Sequence, residues 1–217
     1  MKKILVTRKL IKTSEDYAAK IFDVKLNEKD KLLTKEELIS KSSDCDGILS
    51  SITDTFDSSI ILELSEKVKI ISNFAVGFGN IDIDAAAKKN IAVTNTPDVL
   101  TDATAEIAML VLLGAARRAR EGIEWTKKKN WKWSANFLLG KQLTGARLGI
   151  LGMGRIGRAI ADRARAFGMQ IHYYNRSRLD KSLEKDAVYH KSLESLLSVS
   201  DFFSINCPST KETKHII

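Results

Sequence analysis

The chain is poor in the residues that staple or anchor small proteins. Among its 217 residues there are two cysteines and two prolines. Cys45 and Cys207 are far apart and in no metal-ligand spacing. That excludes a disulfide framework and a cysteine metal site, and fits a reducing, cytoplasmic setting. Long hydrophobic runs are also missing. The longest, Ile107–Ala116 ("IAMLVLLGAA"), is too short to span a bilayer and reads as a buried helix. At the N-terminus only Ile4–Thr7 precedes Arg8, too little for a signal-peptide core, so this stretch reads as a first strand. No short-period repeat or low-complexity segment is present. Acidic residues are the minority, 27 against 35 basic ones, and the net charge of +8 favours anionic ligands. The lysines are nevertheless spread along the chain, as on a generally solvated surface. With 44% hydrophobic and 29% charged residues, a buried core is available and disorder is excluded.

What is present alternates in two periods. Short β-rich runs at 3–7, 22–25, 47–52, 68–75 and 91–94 are separated by polar, helix-length segments such as 35–43 and 57–66. Strands alternating with helices imply βαβ units and a parallel sheet. Pro97 breaks the pattern, and a helix is predicted over 101–120, with Thr101 as N-cap and Arg117, Arg118 and Arg120 late in it, where cations suit its negative end. The following "WTKKKNWKW" (Trp125–Trp133) interleaves aromatics with lysines, which suits a protein interface, plain packing or single-stranded nucleic acid. From Ala146 the alternation resumes, with strands at 147–151, 170–175, 187–189 and 201–206, a helix over 155–167, and a further helix capped by Ser192. The predicted division is 1–98 and 99–217.

Gly152-Met153-Gly154-Arg155-Ile156-Gly157 has the G-x-G-x-x-G spacing, directly after the apolar strand "RLGIL" and at the start of a helix. In that context Gly152 permits a tight turn, Gly154 a close approach to a pyrophosphate, and Gly157 packing of helix on strand. Arg155 and Ile156 stand at the helix N-terminus, which faces the phosphates. About 20 residues on, dinucleotide sites that select NAD carry an acid for the ribose 2′-hydroxyl. Here the stretch reads Asn175-Arg176-Ser177-Arg178. Asn175 cannot repel a 2′-phosphate, the two arginines can pair with one, and Ser177 can donate to it. The cofactor expected is NADP, with NAD second; the alternative is that the arginines decorate a solvated loop.

Four stretches together resemble the D-isomer-specific 2-hydroxyacid dehydrogenases, and among them the glyoxylate and hydroxypyruvate reductases: "NFAVGFGNIDIDAA", "IAVTNTPDVLTDATAEIAMLVLLGAARR", "LGILGMGRIGRAIADRARAFGMQIHYYNRSR" and "DFFSINCPSTKETKHII". The resemblance implies an α/β fold of two doubly wound parallel-sheet domains: a flavodoxin-like substrate domain at 1–98, and an incomplete Rossmann domain at 99–217 with an interdomain helix and dimer arm at 101–140. It implies that the N–H groups of Val76 and Gly77 hold the substrate carboxylate, that Ile52 lines the pocket, that Thr104 lies near the nicotinamide, and that Cys207, Pro208 and Thr213 pass the adenosine side. A homodimer and a small 2-oxo acid substrate follow, with neither membrane nor nucleic acid as partner.

The family's arginine, glutamate and Pro-His histidine lie beyond the region of resemblance. His172, His190 and His215 are none of them preceded by proline, and no catalytic residue is assigned. The expectation is a C-terminally shortened NADP-dependent hydroxyacid dehydrogenase, inactive as 217 residues. A non-catalytic NADP(H)-binding dimer and a nucleic-acid binder are the alternatives.

Overall fold

A computed structural model describes residues 1–128, 133–210 and 212–217. The chain divides into two compact units, Met1–Asp98 and Val99–Ile217.

In the first unit, strands β1 (Lys3–Val6), β2 (Asp23–Lys25), β3 (Gly47–Ser51), β4 (Ile70–Phe74) and β5 (Ala92–Thr94) alternate with helices α1 (Lys12–Ile21), α2 (Lys35–Ser42), α3 (Ser58–Glu63) and α4 (Ile83–Lys88). The sheet is parallel throughout, in the order β2-β1-β3-β4-β5. This is the flavodoxin-like winding, whose switch of direction falls between β1 and β3. Helix starts are marked by side chains that satisfy otherwise orphaned N–H groups: Thr34 with Glu37 in a capping box on α2, Asp57 on α3 and Asp82 on α4. Leu5, Ile48 and Ile71 from the strands meet Leu38, Ile61 and Ala86 from the helices in one buried core.

The second unit opens with α5 (Thr101–Ala116) and α6 (Ala119–Lys127), followed by β6 (Arg147–Leu151), α7 (Arg155–Ala166), β7 (Gln170–Tyr174), α8 (Lys181–Glu184), β8 (Val188–Tyr189), α9 (Leu193–Leu197) and β9 (Phe202–Ile205). Its parallel sheet runs β8-β7-β6-β9, and the direction of winding reverses between β6 and β9. Helix α5 packs along α7, and Arg163 reaches Asp102 at 2.9 Å. Leu148, Ile150, Ile160, Ala161 and Tyr173 form the centre of this core.

The single helix predicted over 101–120 is in fact two. Arg118 takes a left-handed conformation, with φ +53°. The cause lies in the returning chain: Gly140 passes so close that a Cβ there would fall 2.3 Å from the Ala116 carbonyl oxygen. Lys141 N–H takes that oxygen at 2.8 Å, in place of the next helical donor. Arg118 therefore separates the helices instead of ending one. At the other end Leu100, not Thr101, holds the cap position, and no side chain caps α5. Of the tryptophan segment, Trp125 stacks edge-on with Phe137 at 5.1 Å and Trp133 is exposed, while 129–132, including Trp131, lie outside the described residues.

Candidate dinucleotide and carboxylate sites

The glycine loop leaves the carboxyl end of β6, at the point where the strand order reverses, which is where open α/β sheets bind ligands. Two of its glycines are required by the protein itself. Gly152 has φ +93°, and a Cβ on it would lie 2.5 Å from the Cys207 nitrogen. A Cβ on Gly157 would lie 2.4 Å from the Gly152 oxygen. Gly154 differs: nothing of the protein stands within 4 Å of where its Cβ would be. Packing does not demand glycine there, whereas close approach by an outside group does. Behind it α7 begins without a capping side chain, its partial positive charge turned to the same place. A dinucleotide pyrophosphate fits this loop.

Beyond β7, Asn175 and the glycine loop are joined, since the Asn175 Oδ1 accepts the Met153 N–H at 2.6 Å. Arg176, Ser177 and Arg178 are exposed. The two arginines are not equivalent. Arg178 forms a two-pronged ion pair with Glu184, Nε to Oε1 at 3.0 Å and Nη2 to Oε2 at 2.8 Å. It also lies over the Tyr189 ring. Glu184 is buried and accepts the Tyr173 hydroxyl at 2.7 Å as well, so Arg178 holds the turn together. The Arg178 guanidinium, then the Tyr173 hydroxyl, hold the Glu184 carboxyl below its usual range. The Arg176 charge helps to lower the Glu212 carboxyl, after its hydrogen bonds from the Thr210 side chain and its own backbone N–H. Of the expected phosphate contacts, Arg178 is thus held by Glu184, and Arg176 and Ser177 are exposed.

Cys207 and Pro208 follow β9, with Cys207 against Gly152 as above. Thr213 Oγ1 donates to the Pro208 carbonyl at 2.6 Å, closing the turn that carries both. Thr104 sits half-buried in the first turns of α5. His172 and His190 hydrogen-bond each other at 2.9 Å, and burial followed by the His190 charge pushes His172 down. His215 is exposed.

In the first unit, Val76 and Gly77 follow β4, and Ile52 follows β3. The structure brings these together: the Ile52 Cδ1 lies 3.9 Å from the position of a Gly77 Cβ. Among the described residues the N–H groups of Val76, Gly77 and Phe78 donate to no protein acceptor. Successive N–H groups presented by a turn make an anion-binding concavity. Sequence reasoning missed what lies under this turn. Asn73, wholly buried inside the apolar strand "KIISNFA", joins Ser50, Asn80 and the turn in one hydrogen-bonded cluster. A carboxamide within an otherwise apolar strand was the available signal.

A family model described as D-isomer specific 2-hydroxyacid dehydrogenase, NAD binding domain, matches residues 109–217. Glyoxylate reductase of Thermococcus kodakarensis is 38% identical over 99% of this chain and 66% of its own length. Glycerate dehydrogenase of Hyphomicrobium methylovorum is 42% identical over 99% of this chain and 67% of its own. Among solved structures, a glyoxylate reductase from Paecilomyes thermophila superposes with a TM-score of 0.86 at 34% identity, covering all of this chain (100%) and 68% of that one. This chain belongs to the D-isomer specific 2-hydroxyacid dehydrogenase family. It spans about two-thirds of the length of these relatives, just under that for the Thermococcus enzyme. Its second unit contains the family's NAD-binding domain, and both sheets have the parallel winding expected of the fold.

Proposed function

We propose that the chain forms the dinucleotide-binding and carboxylate-binding parts of an NADP(H)-dependent reductase of small 2-oxo acids, of the glyoxylate or hydroxypyruvate type. The observation that carries this reading is the glycine loop, with Gly154 open to an outside group, beside an Asn175–Arg176–Ser177 turn that lacks the ribose-selecting acid. The unit at 1–98 would hold the 2-oxo acid through Val76 and Gly77, with Ile52 alongside. The unit at 99–217 would hold the cofactor through the glycine loop, Arg155, Ile156 and the Asn175 turn, with Thr104, Cys207, Pro208 and Thr213 nearby. When bound, the cofactor would supply hydride-transfer chemistry at the carbonyl carbon of the acid. This chain's part is to fix the pyrophosphate on the α7 start and the carboxylate on the turn after β4.

The proposal includes a homodimer formed through α5 and α6, and a reducing, cytoplasmic setting, supported by two cysteines that are both free thiols. Among the described residues no helix is long and apolar enough to cross a membrane.

A test is titration of the purified chain with NADPH and NADH, followed by glyoxylate. Tight binding of NADPH, weaker binding of NADH and turnover at background level are expected. Equal binding of the two removes the NADP reading, and steady NADPH oxidation removes the inactivity. The second reading is a dinucleotide-binding dimer without chemistry. Binding at physiological NADPH with no turnover of any 2-oxo acid by the longest natural form would select it.

A further inference from the structure

Among the described residues the N–H groups of Val76, Gly77 and Phe78 bond no protein acceptor, so nothing they donate to orients them. What orients them is the set of bonds made by the carbonyls of the same turn. Ala75 C=O accepts Thr96 N–H at 2.9 Å. Val76 C=O accepts the Asn95 Nδ2 at 2.8 Å, and Gly77 C=O accepts the Asn73 Nδ2 at 2.9 Å. Every peptide bond here is trans. In a trans peptide the C=O of one residue and the N–H of the next point in opposite directions. Holding the carbonyls of Ala75, Val76 and Gly77 therefore turns the following N–H groups, of Val76, Gly77 and Phe78, each away from the partner that holds the carbonyl before it.

We infer that Asn73 and Asn95 are positioning residues of the substrate-carboxylate site, acting as two handles that aim the N–H groups of Phe78 and Gly77, while the Thr96 backbone N–H aims that of Val76 through the Ala75 carbonyl, and Phe78 N–H is the third donor. The inference rests on the reading that this turn holds a carboxylate. Asn73 is suited to the task because both ends of its amide are held: its Nδ2 also donates to Asn80 Oδ1 at 3.1 Å, and its Oδ1 accepts the Ser50 hydroxyl at 3.0 Å. Asn80 in turn ties the far end of the turn to the carbonyls of Ser51 and Asp54, at 3.1 and 2.9 Å. A buried amide so held cannot rotate without breaking several bonds, so the Gly77 carbonyl has one orientation. Preorganised donors are worth more than donors that must turn to meet the ligand. The Phe78 side chain is 51% exposed, so this residue's place in the turn is not explained by core packing.

The experiment uses the full 217-residue chain, labelled with ¹⁵N, and glycolate as the carboxylate probe, in the presence and absence of NADPH. In the wild type, glycolate is expected to shift the amide resonances of Val76, Gly77 and Phe78 and to leave those of the glycine loop unmoved. Asn95→Ser removes a half-buried handle at little risk to folding, and Asn73→Asp removes the Nδ2 donor at constant shape. In variants with wild-type dispersion of the spectrum, glycolate affinity is expected to fall about tenfold, the loss of one well-aimed hydrogen bond to a charge. NADPH affinity should be unchanged, which a general loss of structure would not allow. A wild type with no shift at these three amides defeats the carboxylate reading and the inference with it. Wild-type binding with undiminished glycolate affinity in folded Asn95→Ser defeats the inference alone. If Asn73→Asp does not fold, Asn95→Ser decides.

Discussion

The Asn175 carboxamide accepts the Met153 N–H at 2.6 Å, so the residue that stands in place of the ribose acid also holds the glycine loop to the end of β7. Asn175→Asp keeps an oxygen for that N–H while adding the negative charge that a 2′-phosphate avoids and a 2′-hydroxyl accepts. NADPH affinity is expected to fall about tenfold or more and NADH affinity to rise. Arg176→Ala should weaken NADPH alone. Fluorescence titration of both cofactors checks this, and an unchanged ratio in both variants would remove these residues from cofactor choice.

The glycines of the loop separate folding from binding. Gly152→Ala forces a Cβ to 2.5 Å from the Cys207 nitrogen at φ +93°, so a loss of about 1–3 kcal/mol of stability is expected. Gly154→Ala meets no protein atom, and its stability cost is expected at about 1 kcal/mol or less. The same Cβ lies where a pyrophosphate would approach, so NADPH affinity should fall at least about tenfold. Thermal unfolding and titration of both variants distinguish the two. Gly154→Ala with full affinity would mean that phosphate does not come close at that residue.

Glu184 is expected to give the second unit's stability a pH dependence. The Arg178 guanidinium and the Tyr173 hydroxyl keep its carboxyl below the usual glutamate range. A carboxylate lowered in the folded state contributes stability that is complete above the unfolded value, about 4.3, and is lost as pH falls through the lower folded value. Glu184→Gln should therefore lower Tm at neutral pH, and the gap to wild type should close as pH is taken well below that value. The check is Tm against pH for the two proteins. A gap that stays constant to acid pH would mean that the charge on Glu184 contributes nothing.

The glycine loop, the strands around it and the winding of both sheets were legible because they are written in local signals: an apolar strand, glycines at fixed offsets, a helix start. The region around residues 117–118 was not. Alanines and arginines there continue a helical pattern, and the contact that breaks it comes from Gly140 and Lys141, beyond the whole of α6. The ion pair of Arg178 was hidden for a related reason. The sequence position of Arg178 suggests a phosphate, while its partner Glu184 lies across a short turn that no periodicity announces. Asn73 stood in plain view within an apolar strand, but its three partners are set by the fold.

The exposed face of α5 bears on assembly. Ala105, Met109 and Ala116 are buried in the second unit's core, while Ile107, Leu110 and Val111 are 59%, 64% and 64% exposed. A helix repeats every 3.6 residues, so this spacing places the three on one face. A face of this kind on a helix that is otherwise apolar marks an interface, and the proposed occupant is a second copy of the chain. Leu110→Glu sets a charge at the centre of the stripe without touching the core. In sedimentation velocity the wild type is expected to run as a dimer and the variant as a monomer. NADPH affinity should be retained, because Leu110 takes no part in the glycine loop. A wild type that remains monomeric at tens of micromolar, or a Leu110→Glu protein that still dimerises, would place the dimer contact elsewhere or nowhere.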